Sequence, residues 1–272
     1  MALMHLDLYS ECLTRMTMVD VIVPEMREKR TLDNDRFPVL WLLHGATDDQ
    51  TCWQRFTSAE RYAQKRGIAV VMPAVDISFY TNTDGGRYFD YVTEELPRIL
   101  HAQLPLSPLR EDNFVAGVSM GGHGTMKLGF TRPDLYAAMG IFSCANFIDL
   151  MGGFVPEEKD MRKPLHFIRW QVFGTSDGDI SRCHNTEHDN RYLARVASES
   201  GGPLPKIFGC CGCQDGCHDA QKADLHFFST LPRPFDVVFF DGDGVHDFNF
   251  WDRWLDVFIQ WLPLRPRREE IL

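Results

Sequence analysis

Residues 113–124 read Asn-Phe-Val-Ala-Gly-Val-Ser-Met-Gly-Gly-His-Gly. The first five form a short, mostly apolar strand pattern, and a helix-compatible run over 119–131 follows at once. At the junction, Gly117-Val118-Ser119-Met120-Gly121 fits G-x-S-x-G in a strand–turn–helix context. A serine there must sit on a tight, strained turn for its hydroxyl to project from the sheet edge. Gly117 and Gly121 flank it because a Cβ at either would collide with the neighbouring strand or helix. The helix aims its N-terminus at Ser119, and the positive end of its dipole favours developing negative charge. Gly122 and Gly124 add room for close backbone approach. The bland alternative is a glycine-rich turn with an incidental serine, since the five-residue pattern alone is common; the context selects the sharper reading.

Working outward, apolar β-rich runs alternate with helical patterns, which predicts an α/β fold with a mostly parallel central sheet and helices on both faces. Strands are expected at 16–23, 38–43, 68–72, 113–117, 138–142, 206–211 and 235–240. The run 38–43 (PVLWLL) is nearly all apolar, as in a strand buried on both faces. The charged segment 25–36 reads as a hairpin or loop. Helices are expected over 87–103, 119–131 and 247–261 from apolar residues at near-helical spacing. Residues from about 147 to 200, with Gly152-Gly153, the charged stretch Glu157 to Lys163 and a polar run at 174–191, are less regular. They read as an insertion over the sheet within one domain spanning 1–272.

The 272 residues carry 28 Lys plus Arg against 38 Asp plus Glu, a net charge of −10. That excess argues against nucleic-acid binding, which needs a basic surface. No apolar run approaches the roughly 20 residues that span a bilayer. The 20 Phe and 6 Trp exclude a disordered chain. The first residues lack the basic, apolar and small-residue regions of a signal peptide, so a cytoplasmic location with mostly reduced cysteines is expected. Homo-oligomerisation is left open.

A serine nucleophile needs oxyanion donors, a base and an orienting acid. The backbone N–H of Met120, just after the serine, is one candidate donor. The strand 38–43 runs into His44-Gly45-Ala46-Thr47-Asp48, where Gly45 allows a sharp turn and the N–H of Ala46 is the second candidate. His44 reads as a structural residue that fixes this loop. In the chain order serine, acid, histidine, the base belongs after the last core strand, and His246 fits. His123, only four residues from Ser119, is the rival, but within the elbow helix it reads as a packing histidine. His226 reads as structural; His184, His188 and His218 read as surface residues. The acid should follow the strand 206–211, which selects Asp215. Asp219 and Asp224 are alternatives farther along, Asp177 and Asp179 weaker ones, and Asp241 and Asp243 read as loop-shaping. Trp53, Phe79 and Tyr80 are candidates for lining the acyl or alcohol pocket, against the plainer reading of ordinary packing.

These residues together resemble the "putative esterase" family of α/β-hydrolases, most of all its tributyrin-esterase type. The likeness extends over nearly the whole chain: the start Met1 to Pro24, Leu42-Leu43-His44-Gly45, Val70-Val71-Met72-Pro73, Tyr80-Thr81-Asn82, Tyr91 to Pro97, the elbow Gly117 to Gly124, Cys211-Gly212-Cys213-Gln214-Asp215, and Gly244-Val245-His246-Asp247-Phe248 with Trp251. By motif position the resemblance implies Ser119 as nucleophile, Asp215 as acid and His246 as base. It also implies hydrolysis of short-chain acyl esters (acetyl to butyryl), a small-molecule ester substrate, no metal and no organic cofactor. One departure stands out: after Asp215 the family continues with an aromatic or apolar pair, whereas this chain has Gly216-Cys217-His218.

Four of the eight cysteines crowd into Cys210, Cys211, Cys213 and Cys217. With His218 they could supply soft metal ligands, but the spacing is not a paired C-x-x-C, and neighbours on a strand point to opposite faces. Buried free thiols are the plainer reading. The other functions weighed are S-formylglutathione hydrolysis by the same residues, a catalytically silent binding protein on this fold, and a metal- or redox-sensing module.

Overall fold

The computed structural model describes residues 1–25, 36–152, 155 and 159–265. Residues 26–35 of the expected loop at 25–36, residue 153 and residues 157–158 of the charged stretch lie outside the described residues. Ten strands are described: β1 (Ala2–Ser10), β2 (Arg15–Val23), β3 (Val39–Leu43), β4 (Ala69–Pro73), β5 (Asn82–Thr83), β6 (Gly86–Arg87), β7 (Asn113–Val118), β8 (Ala138–Phe142), β9 (Lys206–Gly212) and β10 (Val237–Gly242). Eight form one sheet in the order β1-β2-β4-β3-β7-β8-β9-β10, and β5 and β6 pair separately. From β4 to β10 all pairings are parallel; β1 and β2 run antiparallel to their neighbours. The expected α/β architecture is what forms.

The two-residue period of the central strands explains the layering. Val39, Trp41 and Leu43 of β3 enter one apolar core, whereas Leu40 and Leu42 enter the other. The first core is covered by the helices Leu96–Gln103, Met120–Thr131, Asn190–Glu199 and His218–Ser229; the second by Cys52–Phe56, Ala59–Arg66 and Phe248–Trp261. A side chain that clashes on either face disturbs a whole layer, which is why these strands read as unbroken apolar runs.

The helices Cys52–Phe56 and Ala59–Arg66 and the β5–β6 pair were not anticipated, nor were two further features. β1 is an edge strand with a strict alternation: Met4, Leu6 and Leu8 pack against the core while His5, Asp7 and Tyr9 face outward. The helical run at 88–103 is interrupted by a π-helical turn, Tyr91–Glu95, immediately before Pro97. Proline has no N–H for the preceding turn and its ring crowds that turn's carbonyl, so a wider turn suits the position.

Among the described residues of the 147–200 region the elements are Phe147–Met151, Pro164–Phe167, Ile168–Val172, Ile180–Cys183 and Asn190–Glu199. Its buried residues Ile148, Ile168, Phe173, Ile180 and Ala194 join the same core as β3 and β8. Among the described residues no helix is long and apolar enough to cross a membrane.

Candidate active site

Ser119 caps the helix Met120–Thr131 with φ 54° and ψ −117°, a conformation that L-residues rarely hold. The flanking glycines make the turn possible. A Cβ on Gly117 would lie 2.4 Å from the carbonyl oxygen of Gly121, and one on Gly121 would lie 2.4 Å from that of Leu43. The Ser119 N–H donates to the carbonyl of Phe142 at 3.0 Å, fixing the elbow to β8. The helix N-terminus therefore points at the serine, as the sequence requires. Among the described residues, none hydrogen-bonds the Ser119 hydroxyl; such contacts often tighten only when substrate binds.

Asp215 and His246 come from the loops after β9 and β10, and the structure brings them together. His246 Nδ1 lies 2.9 Å from Asp215 Oδ2, with the carboxylate buried and the imidazole partly exposed. The two loops are laced by Cys213 N–H to Gly242 O at 2.8 Å and Gln214 N–H to Gly244 O at 3.1 Å. Gly212 is required here, since a Cβ would meet the Gly244 carbonyl oxygen at 2.2 Å. Burial opposes ionisation of Asp215. Hydrogen bonds from His246, from the Cys217 N–H at 2.9 Å and from the Ser143 hydroxyl outweigh it and hold its pKa down at about 2. A carboxylate fixed this way keeps a proton on Nδ1 and leaves Nε2 free to accept one. Within Gly216-Cys217-His218 the backbone N–H of Cys217 is the donor to Asp215.

Ser143 and Trp251 support this pair. The His246 ring stands edge-on to Trp251, centroids 5.0 Å apart at 87°. Trp251 Nε1 donates to Ser143 Oγ at 2.9 Å. Ser143 has φ 47° and is fully buried. Sequence reasoning missed it because a single serine after an apolar strand carries no signal. Trp251 was visible only through the family resemblance.

The His44–Ala46 loop lies against the elbow: the same Cβ on Gly121 would come within 2.8 Å of His44 O. Buried His44 has Nδ1 2.7 Å from Gly45 O, and its Nε2 accepts from the Val75 N–H at 3.1 Å. Burial lowers its pKa, and the neutral ring bridges two backbone segments. Met120, at the first helical position, is where an α-helix leaves its N–H without an intrahelical partner. Ala46 sits half-buried at the end of β3.

The other candidates are engaged elsewhere. His123 is fully buried, with Nδ1 3.1 Å from Asn190 Nδ2 and its ring against Phe79 and Phe173; burial drives its pKa well down. Asp224 is buried and accepts from the Asn146 N–H and from Arg191, both at 2.6 Å. Asp177 pairs with Arg182, and Asp179 caps the turn Ile180–Cys183 through the Ser181 N–H. Asp219 and Asp241 both bond His218, and His226 is exposed on its helix. The backbone carbonyl of Asp243 accepts from Arg253. His184 lies between Asp149 and Asp189.

Two expectations are revised. His188 is not a surface residue: it stands edge-on to Phe173 at 5.1 Å, and burial lowers its pKa to about 4. Trp53 and Tyr80 have no exposed surface and Phe79 only 3 %, so they are packing residues in this state rather than surfaces a ligand touches. Trp53 Nε1 donates to Leu43 O and Tyr80 Oη to His44 O, so both brace the loop beside the elbow. The cysteines do not assemble as a four-thiol set: all eight are free, Cys210 is buried in the second core, and Cys211 lies against Ser143.

A family model described as "putative esterase" matches residues 10–199, which includes Ser119 and ends before Asp215 and His246. Over 268 residues the chain is 24 % identical to an acetyl esterase of Caldicellulosiruptor saccharolyticus, covering 96 % of this chain and 98 % of that one. Two solved structures from Staphylococcus aureus are similar throughout. One is FphF, a fluorophosphonate-binding serine hydrolase in a substrate-bound state, with TM-score 0.82, 32 % identity, and coverage of 97 % of this chain and 99 % of that one. The other is the S-formylglutathione hydrolase FrmB as apoenzyme, with TM-score 0.80, 33 % identity, and coverage of 96 % and 98 %. The fold of this chain is the α/β-hydrolase fold.

Proposed function

The chain belongs to the "putative esterase" family and is a carboxylic ester hydrolase, and from that premise we propose that it cleaves short-chain acyl esters, acetyl to butyryl, with Ser119, His246 and Asp215. The observation that carries the assignment is the 2.9 Å contact between partly exposed His246 and buried Asp215, on loops at the same edge of the parallel sheet as the strained turn of Ser119. Ser119 Oγ attacks the ester carbonyl as His246 Nε2 takes its proton. The resulting oxyanion lies between the N–H groups of Met120 and Ala46. Collapse expels the alcohol, which takes the proton from His246 and leaves an acyl-serine. Water then gives a proton to His246 and attacks the acyl carbonyl; the acid departs and Ser119 regains its proton. Asp215 holds the imidazole in the right tautomer and stabilises the imidazolium throughout.

A second reading, hydrolysis of the thioester S-formylglutathione by the same residues, is supported by the 33 % identity to FrmB. One experiment separates the two. The purified chain is assayed on p-nitrophenyl acetate, butyrate and octanoate and on S-formylglutathione. The proposal expects turnover of acetate and butyrate with a fall at octanoate, and kcat/KM for the short esters above that for the thioester. Thioester turnover with inert short esters would replace it by the second reading.

A further inference from the structure

Outside the proposed chemistry, one set of metal-ligating side chains converges among the described residues. Cys213 after β9, His218 at the start of the helix His218–Ser229, and Asp241 on β10 place Sγ, an imidazole nitrogen and a carboxylate oxygen within 4.8 Å of one another. His218 Nε2 is already 3.1 Å from Asp241 Oδ2. In a tetrahedral zinc site, ligands about 2.0–2.3 Å from the ion lie roughly 3.5 Å apart, so this pair has nearly the right spacing and Cys213 needs only a small side-chain adjustment. Cys213 and Asp241 are exposed, which gives an ion a path in.

The decisive feature is behind the histidine. His218 Nδ1 lies 2.9 Å from the carboxylate of Asp219, which fixes the tautomer and aims Nε2 at Asp241 and Cys213. Metal-bound histidines characteristically carry such a carboxylate on the other ring nitrogen. Thiolate, imidazole and carboxylate together suit a borderline-soft divalent ion such as Zn²⁺ rather than Ca²⁺ or Mg²⁺, and three protein ligands leave a fourth position for water. The ligands sit on rigid supports, since Cys213 N–H bonds Gly242 O and β9 pairs with β10 up to Gly212 and Gly242.

We propose that Cys213, His218 and Asp241 form a zinc-binding site, oriented by Asp219, that ties the loop after β9 to β10. The ion takes no part in ester cleavage, and the site stands independently of the proposed esterase activity.

The test uses the full-length, metal-stripped chain. Zn²⁺ binding is measured by calorimetry, Co²⁺ binding by absorption, and Tm with and without Zn²⁺. Wild type should bind one ion, show a thiolate-to-cobalt charge-transfer band and gain Tm with Zn²⁺. Cys213→Ser should lose the band and the Tm gain, and His218→Ala and Asp241→Asn should each weaken binding at least tenfold. Asp219→Asn, at a fully exposed position, should weaken it by about 10–100-fold. Cys217→Ser should bind as wild type does. The absence of saturable one-to-one binding, or unchanged binding in Cys213→Ser, would overturn the proposal. So would binding that survives Cys213→Ser and vanishes in Cys217→Ser, because that pattern places the ion on Asp215, Cys217 and His246, the other convergent group.

Discussion

Replacing Asp215 by Asn keeps the shape of the side chain and removes its charge. Three donors face the carboxylate: His246, the Cys217 N–H and the Ser143 hydroxyl. An amide has one oxygen to offer. The Cys217 N–H belongs to the backbone and cannot turn away, so it keeps the oxygen and the NH₂ group faces His246 Nδ1. The imidazole must then carry its proton on Nε2, the tautomer that cannot accept the proton of Ser119. The analogous change in a well-studied serine hydrolase triad lowers kcat about 10⁴-fold, which corresponds to about 5 kcal/mol on the barrier. The same variant has a signature in stability. Asp215 titrates at about 2 in the folded chain against an ordinary 3.8, so its ionisation contributes about 2 kcal/mol that is complete above the unfolded pKa and is lost as pH falls through the folded one. Asp215→Asn should therefore flatten the stability profile between about pH 4 and 2. The assay is p-nitrophenyl acetate turnover together with urea denaturation at stepped pH. Activity of Asp215→Asn within tenfold of wild type would refute the orientation argument.

Gly121→Ala should lower kcat sharply and destabilise the fold by about 1–3 kcal/mol, because its Cβ meets backbone oxygens of the adjacent loop rather than movable side chains; denaturation and turnover both read it. His188 is largely covered, and that lowers its pKa to about 4, so the unfolded chain binds its proton first and stability should fall as pH drops from the ordinary 6.5 toward 4. That loss amounts to about 3 kcal/mol, and His188→Leu should remove it from the denaturation profile. Trp251→Phe keeps a ring against His246 and deletes the bond to Ser143. It should cost about 1 kcal/mol, seen as roughly fivefold lower kcat at unchanged KM.

How much of this was legible depended on whether the decisive pattern was local. The elbow was legible because Gly117, Ser119 and Gly121 each answer a steric demand met within five residues. Doubly buried strands such as β3, β7 and β8 were legible as apolar runs. β1 was passed over because it is an edge strand, half-exposed, whose apolar alternation at Met4, Leu6 and Leu8 competes with exposed Leu3 and Tyr9. Asp215 could be ranked from chain order alone, but its partners could not. The Ser143 hydroxyl and the Cys217 N–H reach it only through the tertiary fold. His188 was misjudged because neighbouring polarity says little about depth: it is largely covered by residues far away in sequence, Phe173 among them. The zinc-type trio was hidden in the same way, since Asp241 comes from the next strand while the eye is drawn to adjacent cysteines.

The central claim is that Ser119 is the nucleophile. The most direct measurement is intact-mass and peptide-mass analysis after treatment with a fluorophosphonate probe, run beside p-nitrophenyl acetate turnover for wild type and Ser119→Ala. The account predicts one adduct per wild-type chain, mapped to Ser119, with turnover abolished in step; Ser119→Ala should neither label nor turn over. Labelling at another residue, or an unlabelled Ser119→Ala chain that still hydrolyses the ester, would contradict it.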